Sequence, residues 1–233
     1  MSAVNAGREQ FLARVRQALG REGPTPAQVV EEHIAAHAPN LVPERAQLAP
    51  AAQVDLFETM AARVDTTFSH VASDTEVPAA VAVYLTENNL PQRAVMAPDS
   101  RLDAYPWNDQ PLLELRRGRA EDADAVGITG AFAGIAETGT VMLLSGSESP
   151  STVNLMPDSH IVVLRQSEIV GTYEEAWTAL RQRLGDQVMP RTVLFVTGPS
   201  RTGDIDQTLY LGAHGPRRVH IVLLADGPDD GPD

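Results

Sequence analysis

Residues 127–146, GITGAFAGIAETGTVMLLSG, decide how the rest of the chain is read. Residues 125–129 and 138–144 read as strands, and the small residues between them as a turn over 130–137. Gly130, Gly134 and Gly139 permit close backbone approach or positive φ. One carboxylate, Glu137, stands at the entrance to the second strand. A second stretch, TGPSRTGDIDQ at 197–207, repeats the plan: a strand, a tight polar loop, then a helix expected over 204–211. The two loops are expected to meet at one end of a sheet and form a single small-molecule site.

Working outward, the rest of the chain alternates helix and strand. Helices are expected over 5–20, 51–64, 77–88 and 172–184. The last carries Thr172 as N-cap, Glu175 three residues on and Gly185 as terminator. Strands are expected over 67–72, 93–97, 112–115 and 161–164. The apolar runs 192–196 and 219–224 read as fully buried parallel strands. This pattern gives an α/β class: a mixed, mostly parallel sheet with helices on both faces, in which ligands sit beyond strand ends. Residues 1–50 read as a helical leader, 51–226 as the α/β domain and 227–233, all Gly, Pro, Asp and the like, as a disordered acidic tail.

Composition removes several functions. The 233 residues carry 31 acidic and 18 basic side chains, a net charge of −13, which disfavours nucleic acid and anionic membranes as partners. No apolar run is long enough to span a bilayer, and no signal peptide is evident, so a cytoplasmic location is expected. With no cysteine, the chain offers no thiolate to an iron–sulfur cluster or zinc ion and no thiol nucleophile. All 18 basic residues are arginine, which removes Schiff-base chemistry and a phosphate-loop lysine. An anion must therefore be held by Arg, His or backbone N–H groups.

The candidate site follows from those limits. In the 197–202 loop, Thr197, Gly198, Ser200 and Thr202 offer backbone and hydroxyl donors before a helix start, and Arg201 supplies a planar fork for a carboxylate or phosphate. The competing reading is a helix capped by Asp204 with a surface arginine. In the first loop, Thr138, Gly139 and Thr140 line the turn, and Glu137 is either a general base or a cap for the turn's N–H groups. His214, between glycines in the loop before the last strand, is a second proton-transfer candidate or a loop-stabilising residue. Asn154 is a further ligand contact. His220 reads as a hydrogen-bonded core residue, and the pair His33 and His37 as surface or packing residues. No metal site is expected. The spacing G-x-G-x-x-G is absent, so the first loop is not a dinucleotide fingerprint, and no G-x-S-x-G elbow supports a serine hydrolase.

On these two loops the sequence resembles the LUD (lactate-utilisation) domain family, in its LutC-type branch. The resemblance rests on GITG–x5–AETGT at 127–140 and TGPSRTGDIDQTLYLGAHGP at 197–216. Gly203 and Asp206 depart mildly from the family's usual Ala and Glu. The resemblance implies a fold like the ribose-phosphate isomerase and CoA-transferase superfamily. It implies a role as accessory or substrate-handling subunit of a three-part system oxidising L-lactate to pyruvate. Two iron–sulfur subunits would be its partners, the clusters residing in them and no cofactor in this chain. A small carboxylate or phosphate would be the ligand. A stand-alone isomerase acting on a phosphorylated sugar, a non-catalytic scaffold and a homo-oligomeric state all stay open on the sequence.

Overall fold

The structure is a computed structural model describing residues 3–20, 27–185, 188–205, 208–212 and 214–227. It divides into two compact units, Met1–Leu41 and Val42–Asp233. In the first, α1 (Ala3–Ala18) forms as expected, and Gly20 beyond it takes φ +64°. Helix α2 (Ala27–Ala36) lies within the expected helical leader, at bounds the Ala- and Pro-rich stretch did not indicate; its sequence AQVVEEHIAA holds several strong helix formers once the prolines are passed. His37 lies beyond α2 with φ +43°, so His33 and His37 do not form a helical i, i+4 pair. Residues 228–233 of the expected tail lie outside the described residues. No helix among the described residues is long and apolar enough to cross a membrane.

The second unit is built on six parallel strands: β1 (Thr67–Val71), β2 (Arg93–Met96), β3 (Glu114–Arg117), β4 (Val126–Gly130), β7 (Ser159–Arg165) and β12 (Arg218–Leu224). Their order is β1-β12-β7-β4-β2-β3. The central strands are apolar runs because both their faces are covered. On one face, Val126, Ile128, Ile161, Val163, Val222 and Leu224 pack against Val77, Val81, Tyr84 and Leu85 of α4 (Val77–Glu87). On the other, Val162, Leu164, Ile221 and Leu223 meet Phe57 of α3 (Pro50–Ala62) together with Val141 and Leu143. The period-two alternation thus feeds two separate cores. Each large side chain fully buried there contributes about 2 kcal/mol.

Val141 and Leu143 belong to a second sheet of four strands, β8-β5-β6-β9. These are β5 (Ala133–Ile135), β6 (Thr140–Leu144), β8 (Ile169–Val170) and β9 (Val193–Val196). Its far side is covered by α7 (Tyr173–Leu184), whose Ala176 and Leu180 pack on Ala133, Ile135 and Met142. The unit is therefore layered as helix, parallel sheet, mixed layer of α3 and small sheet, then helix. Two short helices, α5 (Ser100–Asp103) and α6 (Ser151–Leu155), lie in the connections after β2 and before β7.

Three expectations are corrected here. The turn over 130–137 contains β5, which pairs antiparallel with β6. Three residues of Ala, Gly and Ile carry no periodicity, and only the pairing reveals them as a strand. The run 192–196 is not a buried parallel strand: β9 is antiparallel to β6 at the sheet's edge and half-exposed. Most consequentially, the helix expected over 204–211 is a hairpin of β10 (Arg201–Ile205) and β11 (Thr208–Leu211), with Arg201 opposite Leu211 and Thr202 opposite Tyr210. Gly203 weakens a helix there, while Ile, Thr and Tyr favour the extended pairing.

Candidate functional site at two ends of the parallel sheet

The two loops read from the sequence do meet. Thr140 Oγ1 and Thr197 Oγ1 are 2.7 Å apart, Thr138 Oγ1 is 2.7 Å from Thr140 Oγ1, and the Tyr173 hydroxyl lies 3.1 Å from both Thr138 and Thr140. Gly139 (φ +66°) and Gly198 (φ +77°) let both loops press onto the end of α3. A Cβ on Gly139 would fall 2.1 Å from the Ala61 nitrogen, and one on Gly198 2.3 Å from the Val64 carbonyl oxygen. Ser200 N donates to Pro216 O at 2.8 Å, and Arg217 N to Asp158 O at 2.8 Å, immediately before β12 and β7 begin. The meeting point is thus at the amino ends of the parallel strands.

The side chains there are largely committed to the protein itself. Glu137 is buried, and its Oε1 accepts the Tyr173 N–H at 3.0 Å, so it caps the start of α7. Thr172 accepts from Glu175 N at 3.2 Å, and Glu175 Oε2 accepts from Gly171 N at 2.7 Å, a capping pair displaced by one residue from the expected box. Arg201 pairs with Asp65 and donates to Val64 O; it stands at the start of β10, with no helix N-terminus beside it. Ser200 Oγ accepts from His214 N at 3.3 Å, holding that loop, while the His214 residue is exposed. Thr202 is buried. Asn154, on α6, is fully buried, and its carboxamide has no hydrogen-bond partner among the described residues.

Because Glu137 accepts through one oxygen, Glu137→Gln can keep the bond. Its stability should stay within about 0.5 kcal/mol of the parent, whereas Glu137→Ala should lose about 1–2 kcal/mol, as for a lost cap. Thermal unfolding of the two variants checks this. A Gln variant as unstable as the Ala variant would contradict the capping role.

At the opposite, carboxyl ends of β2, β4 and β7 lies a charged cluster that sequence reading missed. Asp99 caps α5 by accepting from Arg101 N at 2.9 Å and grips the Arg101 guanidinium, with Nη2 to Oδ2 at 2.8 Å. Arg101 Nη1 also donates to Glu168 Oε1 at 2.9 Å, and both terminal nitrogens reach Ala131 O at 3.3 Å. Arg165, ending β7, pairs with Asp74 at 2.8 Å. Gly130 leaves room for this bridge: a Cβ there would lie 2.9 Å from Arg101 Nη2 and 3.1 Å from Asp99 Oδ2. The one signal available in the sequence was Asp99 ahead of Ser-Arg, an N-cap pattern too short to stand out.

A cleft of about 200 Å³ opens on one side of the bridge, lined by Asp99, Arg101, Phe132, Arg183 and the serines of 145–149. A second of about 210 Å³ opens on the other, lined by Tyr105, Arg165 and Glu168. Burial pushes the Glu168 carboxyl above its ordinary range, with Arg165, Arg101 and Arg183 opposing it. Burial likewise raises Tyr105. For Arg101 burial pulls downward, but Asp99 and Glu168 outweigh it, so the guanidinium stays cationic. Arg183 lies over Phe132, its Cζ 5.7 Å from the ring centroid. Among the described residues, no group of three or more His, Asp or Glu converges as metal ligands.

Comparison with known proteins places the chain in a family. A model of the LUD domain matches residues 12–224. An uncharacterised protein of Neisseria meningitidis serogroup B is 42% identical over 103 residues, 44% of this chain and 42% of that protein. Lactate utilization protein C of Bacillus subtilis is 36% identical over 109 residues, 46% of this chain and 45% of that protein. The matched stretch thus spans about half the length of these relatives. The crystal structure of a DUF162 family protein from Deinococcus radiodurans is similar with a TM-score of 0.56 and 26% identity, over 76% of this chain and 99% of that one. The chain belongs to the LUD domain family.

Proposed function

We propose that this protein serves in lactate utilisation as a substrate-handling subunit, and that its ligand cleft is the one beside Arg101 and Arg183. The observation supporting the role is the similarity to proteins named lactate utilization protein C. The cleft supports the substrate class. Ligands of parallel sheets sit beyond the carboxyl ends of the strands, where this cleft opens. It brings the Arg183 guanidinium and several serine hydroxyls together with the carboxylates of Asp99 and Glu148, donors and acceptors suited to a small 2-hydroxy acid. The ligand's carboxylate would be held by Arg183 and the serine hydroxyls, its methyl by Phe132, and its hydroxyl would donate to Asp99. Arg101, whose donors are taken by Asp99, Ala131 and Glu168, acts as a positioning residue that fixes Asp99. The loops around Glu137 and Arg201 brace the opposite end.

The electrons of lactate oxidation would pass to two iron–sulfur partner subunits. A chain without cysteine has no thiolate for such a cluster, which fits a division of labour between binding here and redox chemistry there. The cleft itself is tested with the isolated chain. L-lactate should raise its melting temperature in a saturable way, and Arg183→Gln should weaken the apparent affinity about 10- to 100-fold, the effect of losing one charged hydrogen bond. Arg183 is exposed, so the variant folds. Lactate stabilisation that is unchanged in Arg183→Gln would move the site elsewhere.

A further inference from the structure

A third cleft, of about 320 Å³, lies on the other side of the 145–149 loop, lined by Ser145, Ser147, Ser151, Thr152, Arg119 and Arg191. Its chemistry is one-sided. Arg119, just after β3, and Arg191, just before β9, bring guanidinium groups, which only donate hydrogen bonds. Ser145 Oγ already accepts the Thr192 N–H at 2.8 Å, and Thr152 Oγ1 accepts the Ala120 N–H at 3.2 Å. With a lone pair taken on each, these two hydroxyls still have a hydrogen to donate. Ser147 and Ser151 add two more hydroxyls.

No carboxylate lines this cleft among the described residues, in a chain where acidic residues outnumber basic ones 31 to 18. A general acidic surface would place carboxylates beside two exposed arginines; here hydroxyls take their place. Two guanidinium groups among hydroxyls, with no carboxylate beside them, favour an anion over a cation. A cleft of about 320 Å³ has room for more than a bare oxyanion.

We propose that this cleft between the 145–152 segment, Arg119 and Arg191 is an anion-binding site for a small molecule bearing a phosphate or carboxylate group, separate from the cleft beside Arg183. The two clefts share Ser145 and Ser147, but Arg119, Arg191, Ser151 and Thr152 line this one and not the cleft beside Arg183, so the inference does not depend on the lactate reading.

Calorimetric titration of the full chain at fixed ionic strength tests it, with inorganic phosphate in one arm and succinate in the other. Saturable binding of at least one probe is expected, weakened about tenfold or more in both Arg119→Gln and Arg191→Gln. Tighter binding of phosphate assigns a phosphoryl ligand; tighter binding of succinate assigns a carboxylate ligand. Both arginines are exposed, and circular dichroism confirms that the variants are folded. Failure of both probes to saturate, or saturation indifferent to both substitutions, would overturn the proposal. Loss of binding in Arg183→Gln alone would overturn it as well, by assigning the anion to the neighbouring cleft.

Discussion

Acidification from pH 7 to pH 4 should remove up to about 6 kcal/mol of folding stability, through two buried histidines. Burial lowers both His160 and His220 to about 4 from the ordinary 6.5. His160 is fully buried, with Nε2 2.7 Å from Thr129 Oγ1; His220 is bonded to Thr67 and Ser69 and stacked on Tyr84 at 3.8 Å. The folded state keeps these rings neutral, while the unfolded state takes up a proton on each as pH falls through 6.5. Between pH 6.5 and 4 the unfolded state therefore binds more protons, and stability falls with pH. Above 6.5 the two histidines contribute no slope, and below about 4 their loss is complete. Each shift is worth about 3 kcal/mol. Glu168 runs the other way, since a carboxyl raised by burial holds its proton more tightly when folded, but it is one group against two. Urea unfolding midpoints measured across this range check the account. His160→Gln should remove about half of the pH dependence. A midpoint that is flat from pH 7 to pH 4 would contradict it.

Gly139→Ala should destabilise the protein by about 3–5 kcal/mol and lower its melting temperature by roughly 10 °C. Two costs combine. The residue takes φ +66°, which strains any side chain bearing a Cβ, and that Cβ would fall 2.1 Å from Ala61 N and 2.5 Å from Ala61 Cα. These are backbone atoms at the end of α3, so relief requires the helix to move. Its Phe57 is fully buried against the parallel sheet, and a moved α3 opens that core. Gly146→Ala is the control: nothing lies within 4 Å of its Cβ, and stability should change by less than about 0.5 kcal/mol. Equal melting temperatures for the two variants would show that the 137–140 loop is not pressed onto α3.

How much of this was legible in the sequence depended on the length and locality of each signal. Strands β7 and β12 were legible as continuous apolar runs, and α7 from Thr172 and Gly185 at its ends. The meeting of the two loops was legible too, and the bond between Thr140 and Thr197 realises it. The hairpin was misread because Asp204 after a polar loop imitates an N-cap, while the pairing of Thr202 with Tyr210 is set by tertiary contacts. The clefts at the carboxyl ends were not legible. Asp99, Gly130, Ser145 and Arg183 are scattered along the chain, and only the neighbouring of β2 and β4 in the parallel sheet, with β6 and α7 packed beside them, brings them together. Arg201, prominent in its motif, is neutralised by Asp65, a residue with no motif at all.

The central claim, a substrate-handling role beside iron–sulfur partners, is tested most directly by purifying the protein from its source cells grown on L-lactate, through a mild affinity tag. The account predicts a brown eluate with iron–sulfur absorbance and lactate-dependent dye reduction, lost when this chain is left out and diminished when it carries Arg183→Gln. A colourless protein recovered without partners, or a complex that oxidises lactate equally well without this chain, would contradict it.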